Sequence, residues 1–129
     1  MPEATRKKVL LVDDDVMIIL SFRNVIKNAG FELETATRGK EALEKIQQSP
    51  PDVIILDAIM PEMNGFEVAR KLKADNDLKK IPIIMLTGLK SPSDATDARM
   101  AGADDVLVKP VGPAKLLERI KFHTTKKTP

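Results

Sequence analysis

The sequence contains no cysteine, no tryptophan and no tyrosine. Without cysteine, the chain can form neither a disulfide framework nor a thiolate metal site. No apolar run approaches the roughly 18 residues that cross a bilayer. The polar N-terminus from Pro2 to Lys8 also lacks the apolar core of a signal peptide. We therefore expect a cytoplasmic protein that does not enter the membrane.

An excess of one charge is missing as well. The 21 basic residues nearly balance the 19 acidic residues, and the formal net charge is +2. A dedicated nucleic-acid binder would carry a clear basic excess, so we expect no direct contact with nucleic acid. The chain has 129 residues, 43% of them hydrophobic, which is enough for one packed domain but too short for two.

What the sequence does contain is an alternation between short apolar runs and segments with helical periodicity. Four solid apolar runs, at 9–12, 53–56, 83–86 and 106–108, are typical of strands buried on both faces of a parallel sheet. A fifth segment, Glu32 to Ala36, alternates apolar and polar residues. That segment predicts an edge strand with one face in water.

Five helical segments alternate with these strands. Asn64 and Glu67 have the spacing of a capping box, and Ser91-Pro92 is typical of a helix start. Because parallel neighbours need helical crossovers, the order predicts an α/β fold with a doubly wound parallel sheet. The predicted helices cover 16–29, 40–48, 64–74, 91–102 and 113–122, and the first has a predicted buried face of Val16, Ile19, Leu20, Val25 and Ile26.

Polar side chains follow four of the predicted strands. Asp13, Asp14 and Asp15 come after the first strand and Asp57 ends the third. The fourth strand ends in Thr87-Gly88 and the fifth in Lys109-Pro110. Functional groups of a doubly wound sheet collect beyond the carboxyl ends of its strands. We therefore expect these acids, the hydroxyl and the ammonium to meet at one edge.

The chemistry of such a group favours a divalent cation and a phosphoryl group. Clustered carboxylates repel one another unless a cation lies between them. Oxygen ligands without histidine or cysteine suit Mg²⁺, which commonly also binds phosphate oxygens. An aspartate can attack phosphorus and form an acyl phosphate when nearby cations neutralise the developing charge.

The stretches VLLVDDD, DVIILDAIMPEMNGFEV, IPIIMLTG and GADDVLVKP resemble, in order and spacing, the signatures of response-regulator receiver domains. The resemblance covers nearly the whole chain, from about Lys8 to Phe122. It implies five parallel strands in the flavodoxin-like order 2-1-3-4-5, with five helices on both faces. We predict a receiver domain over 8–123, an extended or disordered segment at 1–7, and a tail or linker at 124–129.

The resemblance also implies residue roles. Asp57 is the expected phospho-acceptor, assisted by Thr87, which would bond a phosphoryl oxygen, and by Lys109, which would pair with that group or with Asp57. The expected Mg²⁺ ligands are Asp13, Asp14, Asp57 and the backbone carbonyl of Ile59. The Lys109-Pro110 bond is expected to be cis. We interpret Asp15 as a helix N-cap instead of a ligand.

Function and partners follow from the same resemblance. We expect a phosphorylation-dependent switch in a two-component phosphorelay, not an enzyme with turnover. Its phosphoryl donor would be a sensor histidine kinase or a phosphotransfer protein, and its readout an output domain or target protein. A homodimer through the fourth helix, fifth strand and fifth helix is a further expectation.

One residue departs from the family pattern, and the single histidine is predicted to have no functional role. The family commonly has an aromatic switch residue three places before the lysine, where this chain has Val106. We interpret His123, the single histidine, as a solvated residue at the chain end. Two other functions stay open. One is an unphosphorylated pseudo-receiver that binds proteins. The other is a phosphatase of the haloacid-dehalogenase type, in which the nucleophile and a second aspartate are two residues apart, as Asp13 and Asp15 are.

Overall fold

A computed structural model describes residues 6–88 and 92–125, except the side chains of 92–94. The predicted helix start at Ser91 and most of the predicted terminal segments lie outside these residues. The five strands are β1 (Lys8–Val12), β2 (Glu32–Ala36), β3 (Val53–Asp57), β4 (Ile83–Thr87) and β5 (Asp105–Val108). The five helices are α1 (Val16–Asn28), α2 (Gly39–Gln48), α3 (Gly65–Lys73), α4 (Pro92–Ala101) and α5 (Pro113–Thr125).

The strands form one parallel sheet in the order β2-β1-β3-β4-β5. This order confirms the predicted doubly wound fold. The chain adds β2 on one side of β1 and then adds β3, β4 and β5 on the other side. The parallel strands β1 and β3 therefore lie at this switch in strand order, and they pair from Val9 with Val53 to Val12 with Leu56. Because β1 and β3 end side by side at this switch, the polar residues that follow them are brought together.

Hydrophobic packing covers both faces of the sheet. The residues of β1, β3 and β4 point alternately to the two sides, as a pleated strand requires. One core cluster contains Leu10, Ile54 and Met85 and packs against α2, α3 and α4. The other contains Leu11, Ile55 and Ile84 and packs against α1 and α5. Burial on both sides explains why these strands are solid apolar runs.

Side-chain caps fix where two helices begin. The carboxylate of Asp15 accepts a hydrogen bond from the backbone N–H of Met17, so Asp15 is the N-cap of α1 as predicted. At α3, Asn64 accepts from the Glu67 N–H at 3.0 Å, and the Glu67 carboxylate accepts from the Asn64 N–H at 2.9 Å. The predicted capping box is therefore confirmed.

The predicted buried face of α1 was partly wrong. Ile19 and Ile26 are buried, together with Phe22, which the prediction omitted. Val16 and Leu20 are instead half exposed. The helix is rotated so that positions 19, 22 and 26 face the sheet, a spacing of three and four residues. The apolar residues at 16 and 20 are left on the surface.

The end of α5 also differs from the prediction. This helix continues to Thr125 instead of ending near Phe122. Thr124 is buried, and its hydroxyl donates to the Ile120 carbonyl at 2.8 Å. Among the described residues, no helix has the length and hydropathy needed to cross a membrane.

Candidate functional site

Three carboxylates meet where β1 and β3 end, and we call this group the acidic rim: Asp13, Asp14 and Asp57. Asp57 is the last residue of β3, and Asp13 directly follows β1. One oxygen from each of the three side chains lies within 4.8 Å of the others. The sequence prediction that these acids converge is therefore correct in its geometry.

Lys109 brings a positive charge to the acidic rim from the end of β5. Its Nζ lies 2.9 Å from Oδ1 of Asp57 and 3.5 Å from Oδ2 of Asp13. The backbone N–H of Lys109 donates to the Thr87 carbonyl at 2.8 Å, which extends the pairing of β4 with β5. The Lys109-Pro110 peptide bond is cis, as predicted.

The ionisation of the acidic rim reflects its burial and its charges. Asp57 is 4% exposed. Burial, reinforced by the charge of Asp13 and a hydrogen bond shared with Asp14, raises the pKa of Asp57 to about 6, although Lys109 acts to lower it. Burial acts to lower the pKa of Lys109, but its contacts with Asp57 and Asp13 outweigh this effect and raise it. One ammonium thus only partly neutralises the rim.

Asp13 has an oxygen that suits a metal ion. Its side chain is fully buried, and Oδ1 accepts a hydrogen bond from the Asp15 N–H at 2.9 Å. Oδ2 is buried and has no hydrogen-bond partner among the described residues, and the Lys109 ammonium 3.5 Å from it lies closer to Asp57. Such a group is costly unless something compensates its charge. A cation with a preference for oxygen ligands, such as Mg²⁺, fits this donor set.

The two remaining predicted residues lie on adjoining segments. Thr87 is the buried last residue of β4, beside the end of β3. Ile59 lies two places after Asp57, and its side chain is 69% exposed. The loop between β3 and α3 contains a non-glycine residue with positive φ, Glu62 at 70°, and a tight turn in which the Met63 N–H donates to the Pro61 carbonyl.

A second charged group, the edge cluster, consists of Asp105, Arg119 and His123. Oδ2 of Asp105 on β5 lies 2.6 Å from Nε of Arg119 and 3.0 Å from Nε2 of His123, both on α5. His123 is 9% exposed, so the prediction of a solvated histidine was wrong. Arg119 and His123 are four residues apart on one helix face, a spacing that pointed to a shared partner.

The family model for the response regulator receiver domain matches residues 9–121. The chain belongs to the receiver domain family. Receiver domains bind Mg²⁺ at a cluster of aspartates, and the acidic rim is such a cluster. A response regulator called MprA from Mycolicibacterium vanbaalenii is 38% identical over 122 residues, covering 95% of this chain and 52% of that protein.

Other relatives agree with this membership. The transcriptional regulatory protein PrrA of Mycobacterium tuberculosis is 41% identical, over 91% of this chain and 49% of that protein. The receiver domain thus spans about half the length of the curated relatives it matches. The structure of the chemotaxis protein CheY4 of Vibrio cholerae matches with a TM-score of 0.85 and 40% identity, covering 92% of this chain and 98% of that one. The signal receiver domain of a histidine kinase from Syntrophus aciditrophicus matches with a TM-score of 0.88 and 33% identity, covering 95% of each chain.

Proposed function

We propose that this receiver domain accepts a phosphoryl group on Asp57 with the help of Mg²⁺. The observation that carries the proposal is the charge of the acidic rim. Its three carboxylates lie together, and Lys109 brings the one ammonium that contacts them among the described residues, so the fully ionised group keeps two excess negative charges. Asp13, Asp14, Asp57 and the backbone carbonyl of Ile59 would hold the ion. When bound, Mg²⁺ neutralises charge on the phosphoryl oxygens.

The protein's own residues would then carry out an in-line transfer. A carboxylate oxygen of Asp57 attacks phosphorus, the P–N bond of a phosphohistidine breaks, and the imidazole leaves with the electron pair. Lys109 already lies 2.9 Å from Asp57, so its ammonium can move to a phosphoryl oxygen as the acyl phosphate forms. The hydroxyl of Thr87 would bond a further oxygen.

An exposed apolar surface beside the acidic rim supports a protein phosphodonor. On α1, Val16, Met17 and Leu20 have exposed fractions of 54%, 70% and 49%. The same helix borders a largely apolar groove of about 430 Å³, lined by residues that include Phe22, Lys109 and Val111. A sensor histidine kinase or phosphotransfer protein docked there would bring its phosphohistidine to Asp57 in the cytoplasm.

The readout is proposed to pass through another protein or an attached output domain. The relative PrrA is named as a transcriptional regulatory protein and is about twice as long as this chain. On β5 and α5, Val108 and Phe122 are exposed apolar residues, which supports a homodimer through α4, β5 and α5. Val106 packs against the core in place of the usual aromatic residue. Thr87 and the loops around it would therefore convey the change.

Beryllofluoride, which mimics an aspartyl phosphate, tests the proposal. With Mg²⁺, it should shift the backbone amide signals of Asp57, Thr87 and Lys109 in a ¹⁵N correlation spectrum. Asp57→Asn, which keeps the shape of the side chain but removes the attacking oxygen's charge, should show no such shifts. An unchanged spectrum of the wild-type protein would favour the pseudo-receiver function instead.

The phosphatase alternative receives no support from the geometry. Such an enzyme would need the carboxylate of Asp15 beside the reacting phosphate. Asp15 instead caps α1 through the Met17 N–H. We propose that the domain promotes only its own phosphorylation and slow dephosphorylation.

A further inference from the structure

Gly65, the first residue of α3, lies directly against the backbone of the proposed phospho-acceptor. A Cβ atom at Gly65 would lie 2.3 Å from the Asp57 carbonyl oxygen and 3.0 Å from Cα of Ala58. Both atoms belong to the backbone at the end of a central strand, so neither can move aside without displacing β3. A side chain at position 65 therefore requires the backbone of Asp57 or of α3 to shift.

The same contact closes the loop that follows Asp57. The Gly65 N–H donates to the Ala58 carbonyl at 2.9 Å, and the Ala58 N–H donates to the Leu86 carbonyl at 2.9 Å on β4. The first turn of α3 is thus tied to the end of the sheet. The loop between Ala58 and Gly65, which contains Ile59, is held at both ends by this hydrogen bond.

A second glycine lies close to the same loop. A Cβ at Gly39, the first residue of α2, would lie 2.9 Å from the carbonyl oxygen of Met63 and 2.9 Å from Cγ2 of Val68. This contact is less severe, because it involves one side-chain atom and one loop carbonyl. The first residues of α2 and α3 therefore both lie close to the segment between Asp57 and α3.

We propose that Gly65 is a positioning residue for the metal and phosphoryl site: its missing side chain lets α3 approach the Asp57 backbone and fixes the loop that contains Ile59. The inference rests on the proposed function, since it concerns the ligands of the same ion. A metal site needs its ligands held in place by their surroundings, and changes in those surroundings commonly weaken binding. Mg²⁺ is demanding because it requires near-ideal octahedral geometry.

Gly65→Ala tests the proposal by adding the excluded Cβ atom. We expect the affinity for Mg²⁺, measured by titration calorimetry on the folded protein, to fall by about 10-fold. The ¹⁹F signal of beryllofluoride bound at Asp57 should weaken in parallel. Urea unfolding of each variant gives the folded fraction, so that a loss of affinity is separated from a loss of stability.

Two control variants isolate the contact with Asp57. Gly112→Ala makes the same substitution where a Cβ meets nothing within 4 Å, and its Mg²⁺ affinity should stay within about twofold of wild type. Asn64→Ala removes the capping box next to Gly65 without adding an atom against Asp57. It should unfold at lower urea concentration but bind Mg²⁺ as wild type does.

The outcomes separate the two proposals. If the wild-type protein binds neither Mg²⁺ nor beryllofluoride, the proposed function fails and this inference fails with it. If the wild-type protein binds both and folded Gly65→Ala binds them equally well, only the positioning role is overturned. If Gly65→Ala does not fold, the milder Gly39→Ala decides: a weaker Mg²⁺ affinity supports positioning by the loop, and an unchanged affinity contradicts it.

Discussion

The acidic rim and the edge cluster differ in how their carboxylates are balanced by basic side chains. In the acidic rim, three carboxylates lie together, and among the described residues Lys109 alone brings an ammonium, which contacts Asp57 and Asp13. In the edge cluster, one carboxylate, that of Asp105, receives both a guanidinium and an imidazole. Among the described residues, the acidic rim has fewer cations than acids, whereas the guanidinium of Arg119 alone balances the one carboxylate of the edge cluster.

We propose that this difference separates a metal-binding site from a structural contact. The edge cluster satisfies its carboxylate within the protein, so it joins β5 to α5 and requires no further ion. The acidic rim leaves Oδ2 of Asp13 buried without a hydrogen-bond partner among the described residues, and the ammonium 3.5 Å from it is shared with Asp57. Such an arrangement costs stability in the metal-free protein and is retained where function needs it. Each of the following substitutions tests whether a carboxylate serves as a metal ligand or as a structural contact.

The largest effect is expected from Asp13→Asn. The amide keeps the acceptor for the Asp15 N–H but removes one charge and one proposed Mg²⁺ ligand. Calorimetry should show a loss of Mg²⁺ affinity of about 100-fold. This is the upper end of the losses in metal affinity that follow when residues supporting a metal ligand are replaced. Without Mg²⁺, relief of the repulsion with Asp57 should raise the free energy of unfolding by about 1 kcal/mol.

The two measurements must move in opposite directions for the acidic rim to be a binding site. Urea unfolding with and without Mg²⁺ provides the comparison. If Asp13→Asn lowers the stability of the metal-free protein, the rim is a structural contact like the edge cluster. Unchanged Mg²⁺ affinity would remove Asp13 from the set of ligands.

An intermediate effect is expected from Asp105→Asn in the edge cluster. Losing the charge-assisted hydrogen bonds with Arg119 and His123 should lower the free energy of unfolding by about 2 kcal/mol at pH 7. The affinity for Mg²⁺ should not change, because Asp105 begins β5 while the acidic rim lies beyond the opposite ends of the strands. Urea unfolding and calorimetry measure the two quantities.

The pH dependence gives this prediction a direction. Burial acts to raise the pKa of Asp105, but the hydrogen bonds from Arg119 and His123 prevail and hold that pKa below its ordinary value of 3.8. Its stabilising contribution is therefore fully present above about pH 4 and is lost as the pH falls through the lowered pKa. The stability difference between wild type and Asp105→Asn should shrink over that acidic range.

A charge change elsewhere on α5 serves as the control. Glu118→Gln breaks an exposed pair with Lys115 and should alter the free energy of unfolding by less than about 0.5 kcal/mol at any pH. A loss as large as that of Asp105→Asn would mean that the overall charge of α5 matters, not the edge cluster. Equal stability of wild type and Asp105→Asn would show that the cluster contributes nothing.

The acidic rim was predictable from the sequence, and the edge cluster was not. Asp13 and Asp57 each follow a recognisable buried strand, and a parallel sheet brings such strand ends together whatever the side-chain details. The partner of His123 depends on where a residue of β5 meets the last turn of α5. That turn extended beyond the predicted helix end, so the histidine was assigned to the surface.

The surface of α1 and the contact at Gly65 show the same limit. The apolar residues of α1 could not be divided into buried and exposed sets, because Val16 and Leu20 fit a helical stripe as well as Ile19 does. The packing of Gly65 depends on a close approach between two backbones. A glycine after a helix cap in the sequence gives no indication of which strand it touches.

Asp15→Asn should have the smallest effect, although Asp15 is adjacent to two proposed ligands of the acidic rim. Its side chain already accepts a hydrogen bond from the Met17 N–H at 2.9 Å, and asparagine caps helices about as well as aspartate. The free energy of unfolding should therefore change by less than about 0.5 kcal/mol. Calorimetry should give nearly the wild-type Mg²⁺ affinity. A loss approaching that of Asp13→Asn would instead make Asp15 a ligand. The three consecutive acids would then act as one charged group, whereas the structure groups Asp13 and Asp14 with Asp57 and uses Asp15 as a helix cap.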